Sequence, residues 1–190
     1  MSIRTGAIGY DRLRPLDAYG YWYARSLGWV LARALPRAIL MFTAAGIVLP
    51  FMGLEAWAWQ LPPSLEAAAL FIPALALMIM LAVAVLMLAN VVVAASLNER
   101  GVNAVLMPMV TVLSGSLVPL DFFPDALRGL LHAQPLAGLV DIPFRIYFAD
   151  LRGVAALEGL ALQAGWTAAM IGLGRFAMAR MMRHLEMQGG

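Results

Sequence analysis

Residues 67–95 read AAALFIPALALMIMLAVAVLMLANVVVAA, a run with no charged side chain and a single strongly polar one, Asn90. A helix needs about 20 consecutive apolar residues to cross the hydrocarbon of a bilayer, and this run exceeds that length. Hydrocarbon offers no partner to a backbone N–H or C=O, so the segment must satisfy its own and reads as α-helix. The rest of the chain agrees in kind. It is 63% hydrophobic and 13% charged, with mean hydropathy +0.82, whereas soluble domains carry charge on roughly a quarter of their residues. A soluble globular fold is excluded. The 190 residues are expected to form one all-α domain, a polytopic membrane helical bundle.

Four membrane spans are predicted, with 67–96 the second. The first, 27–51, has Arg33 and Arg37 toward its start and Pro36 between them. That proline should kink it, because the ring removes a backbone donor and clashes with the preceding turn. The third, 101–120, contains Pro108; the fourth, 155–176, has Glu158 near one end and Arg175 near the other. Arginine supplies all thirteen basic residues. Ten of the thirteen lie before the first span or at its start, between the second and third, or after the fourth. By the positive-inside rule this places both termini in the cytoplasm, in a cell inner membrane. The loop 53–64 holds Glu55 and no basic residue, and its Trp57 and Trp59 suit an outer interfacial anchor. Arg128, Arg145 and Arg152 fall on the outer side, each within a few residues of an aspartate. Segment 1–26 gathers Tyr10, Tyr19, Tyr21, Trp22 and Tyr23 among arginines, a composition suited to the headgroup layer. No secretory signal peptide is expected, since no short basic region leads directly into an apolar core and cleavage site.

The stretch 113–147, LSGSLVPLDFFPDALRGLLHAQPLAGLVDIPFRIY, departs from this pattern. It is too apolar for a solvent loop and too broken by proline and charge for a span, so residues 121–150 are expected to form a re-entrant or interfacial helix pair at the outer face. Phe122, Phe123, Ala126, Leu127, Leu130 and Leu131 recur at helical spacing, with Asp125, Arg128 and His132 opposite. Pro124 would open this amphipathic helix, and Asp121 would cap it. A second short helix is expected over 135–147. The charged residues Asp121, Asp125, Arg128, His132, Asp141 and Arg145 read as a solvated rim. Asn103, Thr111, Ser114 and Ser116 are the polar residues of the third span, and Gly115 permits close helix approach. Ser114 to Ser116 and Pro119 are placed to unwind the end of that span.

Several of these residues carry a family likeness. Ser114-Gly115, Pro119-Leu120, Phe122-Phe123-Pro124 and Ile142-Pro143 before Tyr147, with the terminal Gly189-Gly190, resemble the closing section of ABC-2 (type-2 ABC exporter) permeases. The opening, Ile3-Arg4-Thr5-Gly6 through Leu13-Arg14-Pro15-Leu16-Asp17, resembles the cytoplasmic segment that joins their second and third spans. The resemblance implies that this chain corresponds to the carboxy-terminal four spans of a usually six-span subunit. It implies alternating access driven by a separate ATP-binding-cassette ATPase subunit, which would hold ATP and magnesium, and pairing with a second permease copy, identical or not. Coupling to the ATPase would fall to Arg12, Arg14, Pro15 and Tyr19. The translocation path and gate would fall to Asn103, Ser114, Gly115, Pro119, Phe122, Phe123 and Pro124.

The residues exclude other chemistries directly. Without lysine there is no phosphate-binding Gly-Lys-Ser/Thr loop, so the chain itself should bind no ATP. Without cysteine there is no disulfide, thiolate nucleophile or Cys-based metal site. His132 and His184 are the only histidines, too far apart in sequence to suggest a metal site, and no cofactor is expected. Ser114 lacks the Gly-x-Ser-x-Gly surroundings of a hydrolase nucleophile. A net charge of +2, dispersed along the chain, gives no footprint for nucleic acid. The bilayer is the remaining partner. Three other roles stay open at this level: a non-transport membrane scaffold, an inactive truncated permease, and a facilitator working without ATP.

Overall fold

The computed structural model describes residues 17–187, with side chains described through Arg183, and among these the regular structure is entirely helical. Six helices carry the fold: α1 (Ala18–Phe51), α2 (Leu65–Ser96), α3 (Glu99–Leu113), α4 (Asp125–Ala133), α5 (Asp141–Tyr147) and α6 (Gly153–Met187). Three of them, α1, α2 and α6, are long and apolar enough to cross a membrane.

Local chemistry sets the ends. Ser64 caps α2 by accepting the Ala67 N–H at 3.1 Å, and Asn98 caps α3 by accepting the Gly101 N–H at 2.9 Å. Between them Leu97 takes the left-handed conformation, φ 54°, and turns the chain sharply from α2 into α3. In α1 the turn Ala44–Val48 widens to a π-helix ahead of Pro50, which cannot donate to the preceding turn. One carbonyl of that turn, Ala45, accepts the Trp59 N–H at 2.9 Å and so pins the following loop back onto the helix.

The core is built on α2 and α6, which start together: the Gly153 N–H donates to the Glu66 carboxylate at 2.7 Å. Both helices then run in the same direction, so the residues between them must return from the end of α2 to the start of α6. They do not travel as one full crossing. The segment expected to span over 101–120 is helical only to Leu113. Its 15 residues amount to about 22 Å of helix, short of the roughly 30 Å of hydrocarbon. Gly115, at φ 83°, then reverses the chain, and a 3-10 turn at Leu120–Phe122 leads into α4.

A 3-10 turn at Pro135–Leu139 and the helix α5 replace the single second helix expected over 135–147. This turn is the deepest part of the segment. The Gln163 Nε2 donates to the carbonyls of Ala74 (3.0 Å) on α2 and Gly138 (2.8 Å) in the turn. Leu136 and Leu139 bury against Leu81. Ala74 and Leu81 lie about 13 and 24 Å along α2 from its first residue. Residues 134–140 therefore reach the middle of the long helix pair. A Cβ at Gly138 would come within 2.8 Å of Leu81 Cδ2 and 3.1 Å of Gln163 Cγ, so a larger residue there forces these buried side chains to shift.

Candidate functional site

The segment from Ser114 to Tyr147 closes around four ionisable side chains from three elements. Asp121 comes from the turn before α4, His132 from α4, and Asp141 and Arg145 from one face of α5. His132 Nδ1 lies 3.1 Å from Asp141 Oδ2, and His132 Nε2 lies 3.1 Å from Asp121 Oδ1. Arg145 Nη1 approaches Asp141 Oδ2 at 3.6 Å and His132 Nδ1 at 3.2 Å, while its Nε faces Asp121 Oδ2 at 3.9 Å. The backbone joins in: the Asp141 N–H donates to the Ser114 carbonyl at 3.1 Å, which ties α5 to the broken end of α3. Gln134 donates to the Leu113 carbonyl at 2.7 Å beside it.

The imidazole has two ways to satisfy these neighbours. With its one N–H on Nε2 it donates to Asp121 and accepts from Arg145 at Nδ1. With both nitrogens protonated it donates to both carboxylates, and the guanidinium must leave Nδ1. A proton on Nδ1 and the Arg145 contact there exclude each other, while Arg145 faces both carboxylates in either case. Burial pushes the Asp141 carboxyl above the ordinary carboxylate range, against the opposing pull of His132 and Arg145.

That direction has a consequence for stability. The native state keeps a proton on Asp141 at pH values where the unfolded chain has released it. The stability this group contributes is therefore full below about pH 4 and is lost as the pH rises through the raised value. Asp141→Asn should melt together with the wild type near the acid end and at a higher temperature toward neutral pH. Thermal melts across that range check it; a variant that becomes relatively weaker toward neutral pH has the opposite sign.

Of the path residues expected from the sequence, the structure brings Ser114 and Gly115 to this cluster. Ser114 is 1% exposed, and a Cβ on Gly115 would touch Asp141 Cβ at 3.5 Å. Asn103 sits half-buried in the first turns of α3, well away from it, and Pro119 and Pro124 are exposed. Phe122 is 79% exposed and Phe123 half-buried, so the α4 region presents Phe122, Leu127 and Leu130 outward as an apolar face. The hydrogen-bond capacity of Ser114 is spent locally, on the Thr111 carbonyl and the Ser116 N–H, and both His132 nitrogens face carboxylates.

Three expectations change. Asp121 does not cap α4; Pro124 occupies the cap position without a side-chain bond, and Asp121 pairs with His132 instead. Asp121, His132, Asp141 and Arg145 are a joined cluster rather than separate members of a solvated rim, while Arg128 pairs with Asp125 at 2.8 Å as their spacing suggests. Arg175 pairs with Asp17 at 2.9 Å and lies over the Tyr19 ring. Tyr19, expected on a coupling surface, is buried against Val83 and Met87 with its ring under Gly174. Arg12, Arg14 and Pro15 lie outside the described residues. The signal for the cluster was present in the chain: opposite charges four apart at Asp141 and Arg145, in a stretch otherwise free of charge from Gln134 to Tyr147.

A strap holds the segment from the other side. Tyr147 Oη accepts the Trp59 Nε1–H at 2.6 Å and donates to the Gln60 carbonyl at 2.5 Å, while its ring packs on Phe71 of α2. Tyr147→Phe keeps the ring and removes both bonds. It should lower stability by about 1–2 kcal/mol and make the loop 53–64 more susceptible to limited proteolysis, which reads the two effects separately. Compared with models of known families, with curated proteins and with solved structures, the chain matches none.

Proposed function

We propose that this chain is the membrane-spanning part of a transporter permease, an exporter worked by alternating access and powered by a separate ATP-binding-cassette ATPase. The observation that carries the reading is the re-entrant segment. An anchor has no use for a proline- and glycine-broken element that dips to the middle of a helix pair and holds two carboxylates, an arginine and a histidine. An interlocked set of ionisable groups in a membrane protein marks an ion or substrate pathway by default. In this reading α3 and the residues after it make the fourth crossing, both termini face the cytoplasm, and a second permease copy completes the path. Ser114 and Gly115 form its hinge, and the cluster is the latch that keeps the outer side shut until the ATPase closes on ATP.

The test is reconstitution. The chain, purified with its membrane partners, should bring an ATPase subunit with it and support ATP-dependent efflux from proteoliposomes. Absence of any such partner, together with unchanged efflux in a deletion strain, rejects the proposal in favour of a non-transport scaffold. Efflux that persists without ATP rejects the powered mechanism and leaves a facilitator.

A further inference from the structure

We infer that α1 carries a docking strip for anionic phospholipid headgroups, formed by Arg25, Arg33 and Arg37 with Trp29 between them. The four residues follow one another at i, i+4 spacing and therefore stack on successive turns of one helix. All are exposed, and Arg33 lies over the Trp29 ring at 3.8 Å. None of the three arginines makes an ion pair with a described residue. The sequence offers no local partner either, because no acidic residue occurs between Asp17 and Glu55.

The path of α1 decides what meets these charges. Near one end Tyr19 buries against Val83 of α2. Toward the other end Ala45 is tied through Trp59 and Tyr147 to Phe71 of α2. Directly, residues 19–30 of α1 meet the Met80–Met87 stretch of α2, with Tyr23 Oη donating to the Met80 carbonyl at 2.7 Å and Ser26 Oγ lying 3.5 Å from Met87 Sδ. About 16 Å of α1 thus meets about 10 Å of α2, so this half of α1 runs obliquely and its arginines stay toward the leaflet at that end. Long arginine stems reach back to the headgroup layer of the leaflet at the α1 amino-terminal end. Phosphate is the anion that layer supplies, and the planar guanidinium binds it in two-pronged fashion. The inference needs α1 in a bilayer and does not need the transport proposal.

The full chain in neutral detergent, offered phosphatidylglycerol and phosphatidylcholine in equal amounts, should retain the anionic lipid in native mass spectra with a preference of about tenfold or more. Each arginine near an anionic surface contributes roughly fivefold. Arg25→Gln/Arg33→Gln/Arg37→Gln should cut the preference to about twofold or less. Arg128→Gln/Arg152→Gln, which alters arginines expected at the opposite leaflet, should leave it intact. If the triple variant loses its helical signal, Arg33→Gln alone should still lower the preference by about fivefold. An unchanged preference in the strip variants overturns the assignment, as does an equal loss in the off-strip control. Displacement of the lipid by inorganic phosphate also overturns it, since the strip would then be a free-anion site.

Discussion

Gly115→Leu should destabilise the protein by about 2–5 kcal/mol and, under the proposed function, abolish transport. Two independent costs meet at this position. The backbone sits at φ 83°, where any L side chain is strained, and that alone is worth about 1–3 kcal/mol. The side chain is also crowded on one side. A Cβ would already sit in contact with Leu120 Cγ at 3.4 Å and Asp141 Cβ at 3.5 Å, so leucine atoms turned that way press the start of α5 away from the end of α3. That displacement stretches the hydrogen bond from Asp141 N–H to the Ser114 carbonyl and separates Asp141 from His132. Gly115→Ala isolates the backbone cost and should fall near the lower figure. His132→Ala should affect transport less than Gly115→Leu, because Arg145 still spans both carboxylates. Thermal melts and ATP-dependent efflux measure the two readouts; wild-type efflux in both Gly115→Leu and His132→Ala would remove Gly115 from the path.

Gln163→Glu should cost about 3–5 kcal/mol at neutral pH. Gln163 is wholly buried and its amide donates to two carbonyls on two different elements. A carboxylate in its place has no hydrogen to donate, faces two acceptors, and has no cation among the contacts of the residue it replaces. The substitution changes almost no volume, so the loss reports the polar link and not packing. Gln163→Leu should cost less, about 1–3 kcal/mol, since the Gly138 carbonyl loses its partner while Ala74 remains in a helical ladder. At low pH the introduced carboxyl is protonated and regains one donor, so part of the Gln163→Glu deficit should return. A deficit independent of pH would mean that the link is not what holds the turn 135–139 against α2 and α6.

The sequence by itself determined what could be read from solvent. Residues 67–95 had to be a helix, because no other backbone satisfies itself in hydrocarbon, and α2 covers that run completely. The first and last spans were legible for the same reason, and the amphipathic spacing after Pro124 found α4. The break after Leu113 could be suspected from Ser114, Gly115 and Pro119, but its depth could not, since a re-entrant turn and an outer loop share the same composition. Only the tertiary structure decided that Pro135–Leu139 sits between α2 and α6. That depends on Gln163 lying opposite Ala74 and on Gly138 leaving room for Leu81. The cluster was hidden for a related reason: charge is local in sequence, but pairing depends on three short elements folding back on one another. Asp121 and Asp141 meet His132 because the chain reverses at Gly115 and again before α5, and no periodicity in one dimension records such a return.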